Sequence, residues 1–247
     1  MNQINTTNQI DSEKNLPPKF YKYKSMGGGE EAQKYVKDII CNHEIYFAPP
    51  EKFNDPFDCR PVISLEASKT TQIKNYRRLQ KKYTPHLNRE ARREDYKQFR
   101  RDFNRNPKNP LVKEAIQQQI IDHHTKELGV LSVTTKKDSI LMWSHYADSH
   151  QGICLEFDGN FAFMAHAIKV KYTKTRPVIN AYRDDHQTQI EKALLTKSDQ
   201  WKYENEWRLI SYDEGPRVIR FRPQNLTGLI FGAQATASTI EMVSKMG

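Results

Sequence analysis

The side chains best suited to chemistry lie in two stretches of the 247-residue chain. One is 197–212, KSDQWKYENEWRLISY, which from Glu204 onward alternates as a strand does. Glu204, Glu206, Arg208, Ile210 and Tyr212 then share one face and Trp207 and Leu209 the other, so two carboxylates stand side by side at i, i+2. The other stretch is 139–158, SILMWSHYADSHQGICLEFD. Within it, 142–150 reads as a short helix with Trp143, Tyr146, Ala147 and His150 on one face. His145 falls off that face, which makes it the candidate general acid or base. His145 and His150 are five residues apart and diverge on a helix, so they form a poor metal pair, and no metal is expected. Each residue also has a plainer reading. Glu206 can be an ion-pair partner of Arg208 on a sheet face, Trp143, Trp201 and Trp207 can be core, and His150 a buried, hydrogen-bonded histidine.

These residues need elements to hold them. The stretch 19–25, KFYKYKS, reads as a strand with Phe20, Lys22 and Lys24 pointing one way and Tyr21 and Tyr23 the other. Gly27, Gly28 and Gly29 open a helix over 30–42. Glu30 and Glu31 already complement its positive end, so the glycines read as an entry loop more than as a phosphate cradle. A second strand covers 44–48. In the proline-flanked loop 51–61, EKFNDPFDCRP, Asn54 and Asp55 either bond local amides or line a cleft anchored by Phe53 and Phe57. Further strands are expected over 130–134 and 153–157, the latter entered through Gly152 at positive φ after the helix and left by the turn Asp158-Gly159-Asn160. Helices are expected over 161–168, 180–196 and 235–246, and strands over 168–172, 218–221 and 229–231.

Between the second and third strands the composition changes. Residues 69–127 hold sixteen Lys and Arg against seven Asp and Glu, so this segment alone accounts for the formal charge of +9. Its pattern is helical, broken at Pro85, and predicts a helical insert at about 66–128. Arg92, Arg93, Arg100 and Arg101, interleaved with Tyr76, Tyr83, Tyr96, Phe99 and Phe103, suit a nucleic-acid backbone with base stacking; they equally suit a solvated basic face over aromatic core positions. Cys41, Cys59 and Cys154 are too few and too scattered for a disulfide framework or a CxxC zinc site. No apolar run nears a membrane span and no signal-peptide order is present, so the sequence reads as a soluble cytoplasmic protein with no membrane partner. Residues 1–16 read as a disordered tail and 17–247 as a single α+β domain.

Six blocks, FYKYKS, IYFAPPEKFNDPFDCR, GVLSVT, MWSHYADSHQGICLEFD, WKYENEWRLI and LIFG, occur in that order from Phe20 to Gly232. Together they resemble the bacterial and phage family called domain of unknown function 2971. The family name carries no activity, but the resemblance implies that these polar blocks gather around a cleft. The order of parts is also similar to that of the ADP-ribosyltransferases: an aromatic and basic first strand, a middle block of aromatic and hydroxyl side chains, and a late strand opening with Glu-x-Glu. That similarity implies NAD as co-substrate. Glu206 would stabilise the oxocarbenium-like transition state of glycosidic bond cleavage, and Glu204 would activate the acceptor. Tyr21, Lys22 and Tyr23, with Asn54 and Asp55, would hold the dinucleotide, and Trp143 or Tyr146 would stack on nicotinamide. FYKYKS lacks the plain Arg or His of the usual first motif, and there is no Ser-Thr-Ser block.

Two functions follow. One is transfer of ADP-ribose from NAD to a macromolecule, nucleic acid included, of the toxin or antiviral-effector type and restrained by a neutralising partner protein. The other is a nucleic-acid-binding effector or nuclease in which the insert grips the backbone and His145, Glu204 and Glu206 act on phosphate. Short alternating strands with short connections predict an α+β fold: a split or bent, mostly antiparallel sheet of short strands with a basic helical insert, rather than a doubly wound sheet.

Overall fold

The computed structural model describes residues 16–105, 110–160, 164–212 and 215–246, so the tail read at 1–16 lies outside the described residues apart from Leu16. The first half runs β1 (Lys19–Lys24), α1 (Gly29–Cys41), β2 (Glu44–Phe47), β3 (Val62–Ser64), then the helices α2 (Lys69–Tyr83), α3 (Arg89–Arg105) and α4 (Pro110–Lys126). The second half runs β4 (Gly129–Thr134), α5 (Ile140–Tyr146), β5 (Ile153–Asp158), β6 (Ile168–Lys169), β7 (Lys171–Thr173), β8 (Val178–Asn180), α6 (His186–Leu194), β9 (Thr196–Ser198), β10 (Glu206–Ser211), β11 (Arg217–Arg220), β12 (Leu226–Phe231) and α7 (Ala237–Ser244).

Period-two alternation builds the central sheet. Its order is β12-β5-β1-β4-β10-β6 and every neighbouring pair is antiparallel. Phe20, Leu131, Val133, Leu155, Phe157 and Leu209 point to one face, where Val36 and Ile39 of α1 cover them. Tyr21, Tyr23 and Cys154 point to the other, against Met142 and Trp143 of α5. The α+β architecture is therefore the one the alternation implies.

The sheet parts between two of its central strands. β1 pairs with β5 at all six positions from Lys19 to Lys24, but with β4 only through Tyr21 and Thr134. Further along β4 another segment takes over the exposed backbone groups: Ala48 donates to the carbonyl of Val130 at 3.0 Å and accepts from its amide at 2.8 Å. A strand edge inside a fold needs such partners. The chain following β2 is thereby wedged between β1 and β4, and a gap opens.

The basic insert is a helical hairpin followed by a return helix. α2 and α3 are joined side to side by Gln80, whose amide donates to the Arg92 carbonyl at 3.0 Å and to Asp95 at 2.7 Å, and by the Tyr76 hydroxyl on Asp95. α4 rejoins the body, where Gln117 donates to the Ile63 carbonyl at 2.6 Å and Ile120 and Ile121 pack beside Leu128, Ile190 and Leu194.

Four local expectations change. The helix expected over 180–196 is a strand, a turn and a shorter helix: β8 pairs in parallel with β3, and the Asn180 side chain then accepts from the amides of Tyr182 and Arg183, a local turn that competes with helix. The helix expected over 142–150 ends at Tyr146, and the left-handed backbone falls on Asp148, Ser149 and His150 (φ 52°, 50° and 69°), not on Gly152. Gly152 is needed for space, because a Cβ there would stand 2.2 Å from the Lys24 carbonyl oxygen. Glu204 does not lie on the strand. It closes the 3-10 turn Asp199–Glu204, and Asn205 at φ 44° redirects the chain so that β10 begins at Glu206. Of the helix expected over 161–168, only the 3-10 turn Met164–His166 falls within the described residues; 161–163 lie outside them.

Candidate active site in the split of the sheet

The gap between β1 and β4 is a cleft of about 650 Å³, bordered also by α1 and by the loop that follows Ala48. Its size suits a small-molecule ligand. Lys22, Asn54, Tyr146, Lys197, Glu204 and Glu206 are among its lining residues. They come from four stretches of the chain, around 22, 54, 146 and 197–206, and the fold brings these together.

Lys197 organises the acidic side. Its ammonium lies 2.6 Å from Glu204 Oε2, 3.2 Å from Glu206 Oε2 and 3.4 Å from Asp58 Oδ2. Arg208, wholly buried, stands behind it. Arg208 donates from Nε and Nη2 to the two oxygens of Glu206 at 2.7 and 3.0 Å, and from Nη2 to Asp58 at 2.6 Å. Its Nη1 donates to the Leu194 carbonyl at 2.7 Å and to Cys59 Sγ at 3.2 Å. Three carboxylates and two cations thus satisfy one another out of water, the condition under which buried charge is tolerated. Tyr146 closes the network from α5: its hydroxyl donates to Glu204 Oε1 at 2.6 Å and accepts from Asn54 Nδ2 at 3.2 Å.

These surroundings pull the two glutamates apart. Burial works against the charged form of Glu206, but Arg208 and Lys197 outweigh it and hold its pKa at about 2. Burial raises the pKa of Glu204; Lys197 opposes that shift and the Glu206 charge adds to it, leaving Glu204 above the ordinary range. Opposite shifts in neighbouring carboxyls are the usual basis for one acting as fixed charge and the other as proton carrier. Across the cleft, burial lowers Lys22 to about 7, with Lys24 adding to the shift and Glu206 opposing it, and burial lowers Lys24 to about 8. Lys22 spans the gap and donates to the Ser132 carbonyl at 3.0 Å, replacing a ladder bond that the parted strands cannot make. The Lys24 ammonium sits 3.9 Å over the ring of Tyr35.

The candidates named from sequence fall in different places. Glu204, Glu206, Lys22, Asn54 and Tyr146 meet in the cleft. Tyr21 and Tyr23 border it, but their rings pack on the α5 face; the Tyr21 hydroxyl reaches Glu156 at 3.3 Å and that of Tyr23 the Lys136 carbonyl at 2.8 Å. Asp55 serves a local turn, accepting from the Phe57 amide at 2.8 Å. Trp143 is buried, edge-on to Tyr23 with its indole N–H on the Lys137 carbonyl, and does not line the cleft. His145 is exposed beside Trp201 and Tyr203, outside the lining. Arg92 and Arg93 line a second cavity in the α2–α3 hairpin, whereas Arg100 and Arg101 are exposed on α3, the latter 3.6 Å from Glu94.

Three members of the network were not among the candidates: Asp58, Lys197 and Arg208. Lys197 and Arg208 belong to the same dense stretch as the glutamates, and Arg208 shares the strand face of Glu206, so proximity was a usable signal for both. Asp58 carries no local signal. Among the described residues, no group of three or more His, Cys, Asp and Glu side chains could hold a metal ion, and no helix is long and apolar enough to cross a membrane.

Residues 142–209 match the model of the family described as Protein of unknown function (DUF2971). The match supports the family that the six sequence blocks resemble. No curated protein and no solved structure matches the chain. The matched segment runs from α5 into β10 and so contains Tyr146, Lys197, Glu204, Glu206 and Arg208. Lys22, Asn54 and Asp58 come from the chain before it.

Proposed function

We propose that the cleft binds NAD and that its paired carboxylates transfer ADP-ribose to an acceptor. The observation that carries this reading is the glutamate pair on one lysine, one glutamate held ionised and the other shifted upward, facing two lysines across the gap. Ammonium groups at Lys22 and Lys24 suit the pyrophosphate of a dinucleotide. As the bond from the ribosyl carbon to the nicotinamide nitrogen breaks, nicotinamide leaves with the bonding pair and the ribosyl carbon becomes cationic. The fixed charge of Glu206 stabilises that carbon in a site shielded from water. The acceptor oxygen or nitrogen then bonds to the carbon and gives its proton to Glu204, whose raised pKa fits a general base.

The test is release of free nicotinamide from NAD by the full chain, with water or added macromolecules as acceptor. The wild-type chain is expected to release it, and Glu206→Gln to be slower by about a hundredfold or more, the scale of losing one preorganised charge. Glu204→Gln is expected to slow transfer while NAD binding persists. No release by the wild type, or equal release by wild type and Glu206→Gln, contradicts the proposal.

A further inference from the structure

The turn end of the α2–α3 hairpin borders a second, open hollow of about 360 Å³. Arg77 and Lys81 of α2 line it from one side and Arg89, Arg92 and Arg93 of α3 from the other. The spacing makes this so: i, i+4 on α2 and i, i+3, i+4 on α3 each place their members on one helix face. The turn between the helices is pinned by Asn88, which accepts from the Ala91 amide at 2.8 Å, and by Arg92, whose Nη2 donates to the Pro85 carbonyl at 2.8 Å. Among the described residues no carboxylate lines the cavity, and Lys81, Arg89, Arg92 and Arg93 make no ion pair. Two acids of α3 are engaged elsewhere. Asp95 accepts from Tyr76 and Gln80, and Glu94 faces Lys97 and Arg101. Arg92 Nε is buried and has no hydrogen-bond partner, a costly state for a charged donor unless a ligand completes it.

We infer that this hairpin end is a phosphate pocket that grips a nucleic-acid backbone. Cations of one sign gathered without counter-charge attract an anion, and the arginine fork matches a phosphate's paired oxygens. An extended polyanion fits better than an isolated phosphate, because the basic stripe continues past the cavity. Arg89, Arg93, Tyr96 and Arg100 follow one another at i, i+4, i+7 and i+11, a run of about 16 Å along α3. Arg100 is exposed, and Tyr96, half-buried with the Arg77 guanidinium 4.5 Å over its ring, is an aromatic surface within the stripe. The pocket shares no residue with the cleft and stands whether or not the cleft takes NAD.

The experiment is fluorescence anisotropy of the full chain, without NAD, on labelled single-stranded DNA, single-stranded RNA and duplex DNA of about 20 nucleotides, longer than one ordinary footprint, across a salt series. The double variant Arg89→Ala/Arg93→Ala, both exposed positions, is expected to melt as the wild type does. It should bind about tenfold more weakly, with a salt slope shallower by about 1 to 2. Lys34→Ala/Lys37→Ala removes the same charge from exposed sites on α1 and is expected to stay within about twofold of wild type. The inference is overturned by any of four results: no salt-dependent binding to any probe, undiminished binding by the hairpin variant, equal losses in both variants, or binding to anionic phospholipid vesicles with none to nucleic acid.

Discussion

The cluster behind the cleft and the cluster at the hairpin end draw on the same kinds of charged side chain and differ in what balances them. At the cleft, Arg208 and Lys197 are buried and each meets carboxylates of this chain within hydrogen-bond distance. At the hairpin, Arg89 and Arg93 are exposed and meet none among the described residues. Burial explains the difference. A charge taken out of water must be answered inside the fold, while a charge left in water can wait for a partner. The first arrangement fixes proton affinities and so favours chemistry; the second favours binding.

Removing cations from each cluster should separate them most sharply. Arg208→Met leaves Asp58, Glu204 and Glu206 with Lys197 as their shared cation and is expected to cost about 3–5 kcal/mol of unfolding free energy by urea titration, the scale for breaking a buried pair. A loss below about 1 kcal/mol would mean that water reaches the cluster.

Acid should attack the same cluster. Glu206 has its folded pKa lowered to about 2, so it contributes stability above its unfolded pKa, lost as pH falls from about 4.5 through 2. The contribution is on the order of 3 kcal/mol. Stability measured against pH is expected to fall less steeply over that range in Glu206→Gln than in the wild type. Parallel profiles would remove Glu206 from the argument.

A smaller effect is expected at the rim of the cluster. Tyr146→Phe deletes the donor to Glu204 Oε1 and the acceptor of Asn54, for a cost of about 1 kcal/mol. It should also move the Glu204 pKa further up, because that hydrogen bond favours the carboxylate; a downward movement would contradict the assignment. The smallest effect belongs to the hairpin, where Arg89→Ala/Arg93→Ala is expected within about 0.5 kcal/mol of wild type, as for exposed side chains generally. A larger cost would show that the hairpin charges are already satisfied within the fold.

Much of this was legible in the residue order, and the exceptions have identifiable causes. β1, β4, β5 and β10 are each six residues long, enough for alternation to reveal both strand and face and to single out Glu206, whereas Lys22 and Tyr146 are legible as site residues only through the resemblance to the ADP-ribosyltransferases. Lys197 sits in β9, three residues long and paired in parallel with β7, too short for a period to register. In the loop 51–61 the Asn-Asp-Pro run drew attention to Asp55, which serves the local turn, while Asp58 three residues on meets Arg208 across the fold. Glu204 was expected beside Glu206 on one strand face. A left-handed Asn205 breaks that strand, and the two carboxylates converge all the same because Lys197 holds both. The split itself depends on Ala48 reaching Val130, a contact between distant segments that no local pattern encodes.

The most direct test of the cleft is thermal unfolding of the full chain with saturating NAD at about pH 6 and about pH 9, on either side of the values near 7 and 8 for Lys22 and Lys24. Ligand at about a hundred times its dissociation constant stabilises by roughly 2.7 kcal/mol, several degrees for a chain of this length. The expected result is a rise in melting temperature at the lower pH that shrinks at the higher one, where both ammonium groups are neutral, and that is reduced in Lys22→Met. No rise at either pH, or an equal rise in wild type and Lys22→Met at the lower pH, would contradict a dinucleotide site between β1 and β4.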